Sequence, residues 1–251
     1  MTDSDREARV LDAVVTLVDS LLHDFDVVDL LTDLTEQCAD LLDVSAAGLL
    51  LADPRQQLHL MAATSDRTEE IELLQLQADE GPCLDCYTSG EAVSIADLTA
   101  VAERWPQFVP AAREAGFASV HAVPMRAAGR VLGALGLFGT EPGELNEADL
   151  LVGHSLAHVA SVAIVQGHPP TPEAVMPNLS SALASRVVVE QAKGFLRERL
   201  DITVAEAFTL LRTYARQFDT HMSEVARQLM SEPETRPTII AEMTELMASQ
   251  P

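Results

Sequence analysis

The chain has 251 residues, 47% of them hydrophobic and 22% charged, and its formal net charge is −23. This length and composition suit a soluble globular protein with one large domain or two ordinary ones. So acidic a chain repels phosphates at long range, which excludes general polyanion binding and leaves room only for a local nucleic-acid surface.

No N-terminal run combines the basic start and apolar core of a signal peptide, and no apolar stretch approaches the roughly 20 residues of a membrane helix. The three cysteines, an odd number without an export signal, are typical of reduced thiols. We therefore expect a cytoplasmic protein that does not contact a membrane.

The first two thirds of the chain alternate between helical and strand patterns. Apolar residues at three-and-four spacing predict helix over 5–42, with a break near Asp24 and Asp26. The remaining predictions are strands over 46–52 and 58–64, a helix over 67–77, a loop after Gly81-Pro82, a strand over 93–95, helical turns over 98–103 and 110–115, a hairpin of strands 120–125 and 131–138, and a helix from Asn146 to about 166. This order predicts an α+β fold, with an antiparallel sheet and helices segregated from it.

The last third predicts only helices. Residues 167–177 contain four prolines and read as a linker, because proline disfavours helix and stiffens the chain. Beyond it, helices are predicted over 178–200, 203–217 and 221–231, with a further helix over 237–247. The predicted organisation is an N-terminal helix (1–24), a mixed domain (25–166), the linker (167–177), an all-α module (178–232) and a C-terminal helix or tail (233–251).

Charge is shared unevenly between these parts. Residues 1–175 carry 8 Lys and Arg against 29 Asp and Glu, whereas residues 176–251 carry 8 against 10. Lys193 is the only lysine, and on a helix it lies on one stripe with Arg186, Glu190 and Arg197. Such a stripe is either a solvated face with ion pairs within the helix or a binding surface for an anionic partner. Glycine at position 194 lowers the stability of this helix by up to about 1 kcal/mol relative to alanine. Its presence is explained if another helix or a ligand approaches the backbone closely there.

Cys83 and Cys86 form a C-x-x-C pair. A structural zinc site needs four ligands, and no second pair exists. Redox sensing and a place in a ligand-pocket wall remain as alternatives, although acidic neighbours such as Asp85 are expected to raise the pKa of the thiols. His154 and His158 have metal-ligand spacing on a helix but no third ligand, and no recognised catalytic motif is present. We therefore expect neither a metal nor an enzymatic activity.

Residues 183–226 closely resemble the ANTAR domain, a three-helix RNA-binding module of bacterial antitermination regulators. The resemblance lies in the run Glu190-Gln191-Ala192-Lys193-Gly194 and in the later pattern Ala-Phe-x-x-Leu-Arg at 207–212. It implies that the protein binds paired short stem-loops in nascent mRNA and thereby stabilises an antiterminator. The residues that it implies for RNA binding are Arg186, Gln191, Lys193, Gly194, Arg197, Arg212, Tyr214 and Arg216.

Residues from about 25 to 166 resemble a GAF sensor domain of the kind fused to ANTAR modules in actinobacteria. The segments that carry this resemblance are 79–87 (Asp-Glu-Gly-Pro-Cys-Leu-Asp-Cys-Tyr), 104–108 (Arg-Trp-Pro-Gln-Phe), 116–126 (Gly-Phe-Ala-Ser-Val-His-Ala-Val-Pro-Met-Arg) and 133–138 (Gly-Ala-Leu-Gly-Leu-Phe). It implies control by a small molecule of unknown identity, by redox state or by a partner. No bilin-attachment setting is present, so we predict no cofactor. Because two stem-loops suit two ANTAR modules, the long flanking helices are predicted to form a homodimer.

Two other functions remain open. A DNA-binding transcription factor would also end in a small helical domain, but these helices lack a helix-turn-helix glycine turn and strong basic charge. A thiol reductase of the methionine-sulfoxide type would use Cys83 as nucleophile and Cys86 as resolving thiol.

Overall fold

The computed structural model describes residues 3–21, 26–165 and 172–249 of the chain. The chain divides into two compact units. One, here called the sheet unit, comprises Met1–Asp24 and Leu30–Ser180, and the other, the helical unit, comprises Phe25–Asp29 and Ser181–Pro251.

The described elements confirm an α+β fold followed by an all-helical C-terminal part. In chain order they are α1 (Asp3–Leu21), α2 (Val27–Leu41), β1 (Ala46–Ala52), β2 (Leu58–Ala63), α3 (Asp66–Ala78), α4 (Pro82–Ser89), β3 (Val93–Ile95), a 3-10 turn (Leu98–Val101), α5 (Phe108–Glu114), β4 (Ser119–Ala127), β5 (Arg130–Gly139), α6 (Glu147–Val165), α7 (Pro172–Leu200), α8 (Val204–Gln217), α9 (Met222–Ser231) and α10 (Arg236–Ser249).

The five strands form one antiparallel sheet in the order β2-β1-β5-β4-β3. The predicted hairpin of β4 and β5 turns at Ala128 and Gly129, both with positive φ, as a tight two-residue hairpin requires. β1 lies between β2 and β5 in the sheet, and each of its residues is buried. Its unbroken apolar sequence is therefore explained by cover on both faces of the sheet.

Helices cover the two faces of the sheet. A β-carbon at Gly136 would meet Glu72 of α3 and Cys83 of α4, whereas a β-carbon at Gly153 of α6 would meet the side chain of Leu137. Because consecutive residues of a strand point to opposite faces, α3 and α4 lie on one side of β5 and α6 lies on the other. Asn146 accepts a hydrogen bond from the backbone N–H of Asp149 (2.9 Å), which confirms it as the start of α6.

Two local predictions are wrong. The segment after Gly81 is not a loop but helix α4, which Pro82 begins and Gly90 ends in a left-handed conformation. The predicted linker is helical from Pro172 onward, while 167–171 lie outside the described residues. Pro82 stands at the first position of α4, where its missing N–H has no partner to lose, whereas Pro177 lies within α7.

Helix α6 is longer and more apolar than we predicted for any stretch of the chain. Within the described ranges it is the one helix long and apolar enough to cross a membrane, and half of that stretch is buried inside the protein. Its buried side faces the sheet, where α6 packs on β4.

In the helical unit, α8 begins after Thr203, as predicted. Its hydroxyl accepts a hydrogen bond from the backbone N–H of Glu206 (3.1 Å), and the Glu206 carboxylate accepts one from the backbone N–H of Thr203 (2.7 Å). This reciprocal cap fixes the start of α8. In this module Ala192, Ala207, Leu211, Ala215 and Val225 are buried, whereas Phe195 and Phe208 are half-buried.

Candidate functional site

The predicted RNA-binding residues divide into an exposed group and a buried group. Gln191, Gly194 and Arg197 of α7 and Arg216 of α8 are exposed. Arg212 is half-buried. A polar and cationic surface is therefore available on two successive helices.

Gly194 lies in the open on this surface. Among the described residues, no atom outside its own helical turn would come within 4 Å of a β-carbon placed there. The close approach of another helix, one of our two explanations for this glycine, is thus not found. The remaining explanation is a ligand that approaches the α7 backbone.

Arg186 and Lys193 belong to the buried group. They are only 8% and 5% exposed, and both bind the carboxylate of Glu190. The distances to Glu190 Oε1 are 2.5 Å from Arg186 Nη2 and 3.0 Å from Lys193 Nζ. The Lys193 ammonium also lies 5.4 Å from the centre of the Phe208 ring on α8. The two ion pairs therefore lie within α7 and satisfy its buried charges, while Lys193 also contacts α8 through Phe208.

Tyr214 is the third member of the buried group. Its side chain is 6% exposed, and its hydroxyl donates a hydrogen bond of 2.5 Å to Glu242 Oε2 of α10. Its ring stacks on Phe218 at 4.5 Å. Burial, together with the hydrogen bond and the charge of Glu242, raises the pKa of Tyr214 well above its usual value. The phenol is therefore neutral and engaged within the helical unit.

In the sheet unit, Cys83 and Cys86 lie on α4 and are both fully buried. Burial raises the pKa of Cys86 to about 12 and that of Cys83 well above its ordinary value. Both thiols are therefore protonated at neutral pH, and protonated thiols are poor nucleophiles.

The acidic side chain beside Cys83 is that of Glu72, a residue that we did not predict to be part of a site. Glu72 is fully buried on α3, and its Oε1 lies 3.7 Å from Cys83 Sγ. Gln75 Nε2 donates to Glu72 Oε2 (2.7 Å), and the backbone N–H of Cys83 donates to Gln75 Oε1 (2.9 Å). Burial raises the pKa of Glu72 to about 8.

A signal for this cluster was present in the sequence. Thr68, Glu72 and Gln75 repeat at the helical spacing that normally carries apolar residues, and all three are buried. The acidic residues that we expected to act on the thiols have other roles. Asp85 accepts hydrogen bonds from Arg104 and from the indole N–H of Trp105.

A cleft of about 510 Å³ opens at the hairpin ends of the sheet, within the size range of small-molecule sites. It is lined by Ala52, Asp53, Gln56, Tyr87, Thr88, Arg130 and Val131. Cys83 and Cys86 are not among these lining residues. The predicted alternative of a pocket-wall role for the cysteines therefore does not apply to this cleft.

The predicted histidine pair and His121 lie in different surroundings. His154 and His158 are exposed on α6, and His121 is buried with its Nδ1 bonded to the Ser94 hydroxyl. No group of three or more metal-ligating side chains occurs within the described parts of the chain.

Comparison with protein families identifies two domains. The family model described as GAF domain matches residues 26–165, and the model described as ANTAR domain matches residues 178–230. No curated protein sequence matches the chain.

Solved structures support the fold of the sheet unit. The GAF domain of an Acinetobacter phosphoenolpyruvate-protein phosphotransferase is 22% identical, with a TM-score of 0.52, and the match covers 68% of this chain and 100% of that one. A GAF domain of the corresponding Coxiella burnetii protein is 19% identical, with a TM-score of 0.51 and coverages of 62% and 93%. A free methionine-R-sulfoxide reductase from Neisseria meningitidis is 18% identical, with a TM-score of 0.51 and coverages of 72% and 96%. At these identities the likeness extends to the fold alone.

Proposed function

The chain belongs to the GAF domain family and continues into an ANTAR domain, and on this basis we propose that it is an RNA-binding regulator that promotes transcription antitermination. Both domains are regulatory. The observation that carries the proposal is the ANTAR match over residues 178–230. The exposed arginines on α7 and α8 support it, because RNA binding needs cations that phosphates can reach.

The proposed target is a pair of stem-loops in nascent mRNA, whose binding would favour an antiterminator over a terminator. Arg197 and Arg216 would neutralise phosphates or stack their guanidinium planes on unpaired loop bases, while Gln191 would donate or accept hydrogen bonds. The open backbone at Gly194 would let RNA approach α7 closely. Action on nascent mRNA would take place in the cytoplasm.

The GAF domain is proposed to control this binding. The cleft that contains Tyr87 and Arg130 is large enough for a small molecule and offers it hydrogen-bond donors and a cation. A thiol enzyme is disfavoured because the raised pKa values of Cys83 and Cys86 keep both thiols protonated.

RNA binding is expected to depend on the exposed arginines. Arg197→Ala and Arg216→Ala should each weaken binding to an RNA with two tandem short-loop hairpins by roughly three- to tenfold, because each removes a phosphate contact. Each should also make binding less sensitive to salt. Fluorescence anisotropy at several salt concentrations would measure both effects. Lys193→Ala should act mainly through lower stability, since Lys193 is buried.

The matched control is Arg113→Ala, which removes one exposed arginine from the GAF domain. A loop-scrambled RNA and a DNA duplex complete the comparison. Equal binding to scrambled and intact loops, or preference for the duplex, would contradict the proposal and favour a DNA-binding factor.

We further propose a homodimer through α1 and α6, which pack together in the sheet unit. Large apolar side chains remain exposed on both helices, Leu11 (67%) and Val15 (55%) on α1 and Leu151 (68%) and Val162 (38%) on α6. Apolar side chains grouped on adjacent helices are typical of an interface. A second copy would place two ANTAR modules on one RNA with two stem-loops.

Substituting charge into this face should separate the two copies. The double variant Leu11→Glu and Leu151→Glu is expected to sediment as a monomer, because burying two carboxylates in an apolar interface is costly. Analytical ultracentrifugation would measure the mass, with Leu73→Glu on α3 as a control at another exposed leucine. A parent protein that is itself monomeric at micromolar concentration would rule out this dimer.

A further inference from the structure

The start of helix α9 is bonded to side chains from a distant part of the chain. His221 occupies its cap position, and the hydrogen bonds to its first turn come instead from two carboxylates of the α2 start. Asp29 Oδ2 accepts from the backbone N–H of Met222 (3.0 Å), and Asp26 Oδ2 accepts from the hydroxyl of Ser223. These partners are 193 and 197 residues apart in the sequence. The cap of α9 is therefore a tertiary contact.

Asp26 also caps α2, which begins directly after it. Its Oδ1 accepts hydrogen bonds from the backbone N–H groups of Val28 (2.7 Å) and Asp29 (3.3 Å), so one carboxylate joins the first turns of two helices. Val28 and Met222 are fully buried and Ser223 is 4% exposed, so the contact is largely shielded from water. Carboxylates at a helix start also interact favourably with the helix dipole. We call the hydrogen bonds of Asp26 and Asp29 to Met222 and Ser223 the clasp.

The clasp lies within the helical unit, yet two of its residues come from the GAF match. That match begins at residue 26, whereas the ANTAR match covers 178–230. Helix α2 runs without interruption from Val27 to Leu41, and the unit boundary falls inside it, because Phe25–Asp29 belong to the helical unit and residues from Leu30 onward to the sheet unit. A displacement of α2 that begins in the GAF domain therefore acts on the cap of α9.

Helix α9 in turn supports α8, which carries the exposed Arg216 of the proposed RNA-binding surface. It packs on α8, and its residues Val225, Ala226 and Leu229 are fully buried. The first N–H groups of a helix have no partner within the helix, so an α9 that loses its cap frays at its first turn and gives up part of this packing. The clasp thus bears on the RNA-binding surface without being part of it.

We propose that the clasp is the connection through which the GAF domain regulates the ANTAR domain. With the clasp closed, α9 keeps its cap and holds α8 in the form that binds RNA. A change in the GAF domain that displaces α2 opens the clasp and weakens RNA binding. This inference rests on the proposed RNA-binding function and adds the regulation of that same site.

The test opens the clasp from its two sides in the full-length protein. Asp29→Ala removes an acceptor on α2, and Ser223→Ala removes a donor on α9 while leaving the cap of α2 intact. Each is expected to speed hydrogen exchange of the α9 amides about fivefold, since loss of a helix cap acts on this scale, and to weaken binding of the tandem-hairpin RNA. The matched controls are Asp40→Ala, an exposed carboxylate of α2, and Ser231→Ala, an exposed serine of α9.

A third variant tests transmission along α2. Leu34 is fully buried on the part of α2 that belongs to the sheet unit, so Leu34→Ala loosens the helix there without touching the clasp. It should speed exchange of the α9 amides about twofold to threefold in the parent and have little further effect once Ser223→Ala has opened the clasp, because coupled changes are not additive. Equal effects of Leu34→Ala in both backgrounds, or no effect in either, would overturn transmission through the clasp.

The outcomes separate the two proposals, because hydrogen exchange is measured without RNA. Faster α9 exchange and weaker RNA binding in both clasp variants, but in neither control, support the regulatory clasp. Unchanged α9 exchange in the clasp variants overturns it and leaves the RNA-binding function standing, and so does faster exchange with RNA binding equal to that of the parent. Absence of RNA binding by the parent overturns the RNA-binding function, and the regulatory role of the clasp with it.

Discussion

The variant Glu72→Gln is expected to be more stable than the parent above pH 8, by about 2 to 4 kcal/mol. Burial raises the pKa of Glu72 from its ordinary value of 4.5 to about 8, so the folded state holds this proton more tightly than the unfolded state. The stabilisation is complete below pH 4.5 and is lost as the pH rises through 8. Glutamine has the same shape, can accept from Gln75 Nε2 and carries no ionisable proton.

Urea unfolding at pH 5, 7 and 9 would measure this difference. Trp105, the only tryptophan, lies buried in the core of the GAF domain and reports on its unfolding by fluorescence. Glu70→Gln is the matched control, because Glu70 is exposed on the same helix and should leave the pH dependence unchanged. A parent whose stability rises steadily from pH 5 to pH 9 would show that Glu72 is not a buried acid.

The variant Gly133→Ala is expected to lose about 3 kcal/mol or more of unfolding free energy. A β-carbon at Gly133 of β5 would overlap the backbone carbonyl oxygen of Leu50 in β1. Backbone cannot rotate away as a flexible side chain can, and β1 is buried along its whole length. The two central strands would have to separate, with loss of their hydrogen bonds.

Gly143→Ala provides the control, because a β-carbon there would meet no described atom within 4 Å and its φ is not in the left-handed region. Thermal unfolding followed by Trp105 fluorescence would compare the two variants. Loss of about 3 kcal/mol corresponds to a fall in the unfolding midpoint of roughly 10 °C. Equal midpoints for the two alanine variants would show that β1 and β5 tolerate separation.

Much of the secondary structure follows from local sequence signals. Asn146 and Thr203 mark the starts of α6 and α8, because each side chain bonds to a backbone N–H within the next turn. The β4–β5 hairpin also depends on neighbouring residues alone. The proline signal failed at Pro82, because proline is accommodated at the first position of a helix. It also failed at Pro177, which α7 includes although proline disfavours a helix interior.

The sequence by itself determined which elements form, the acidic character of the first two thirds and the resemblance to GAF and ANTAR domains. Tertiary structure alone decided which polar groups are buried. The stripe divides because Arg186 and Lys193 are buried while Arg197 is exposed. The pKa of Glu72 is raised because its side chain is buried against Gly48 and Gly136 of the sheet. Helical periodicity shows which residues share a face, but burial and pKa depend on what packs against that face from a distant part of the chain.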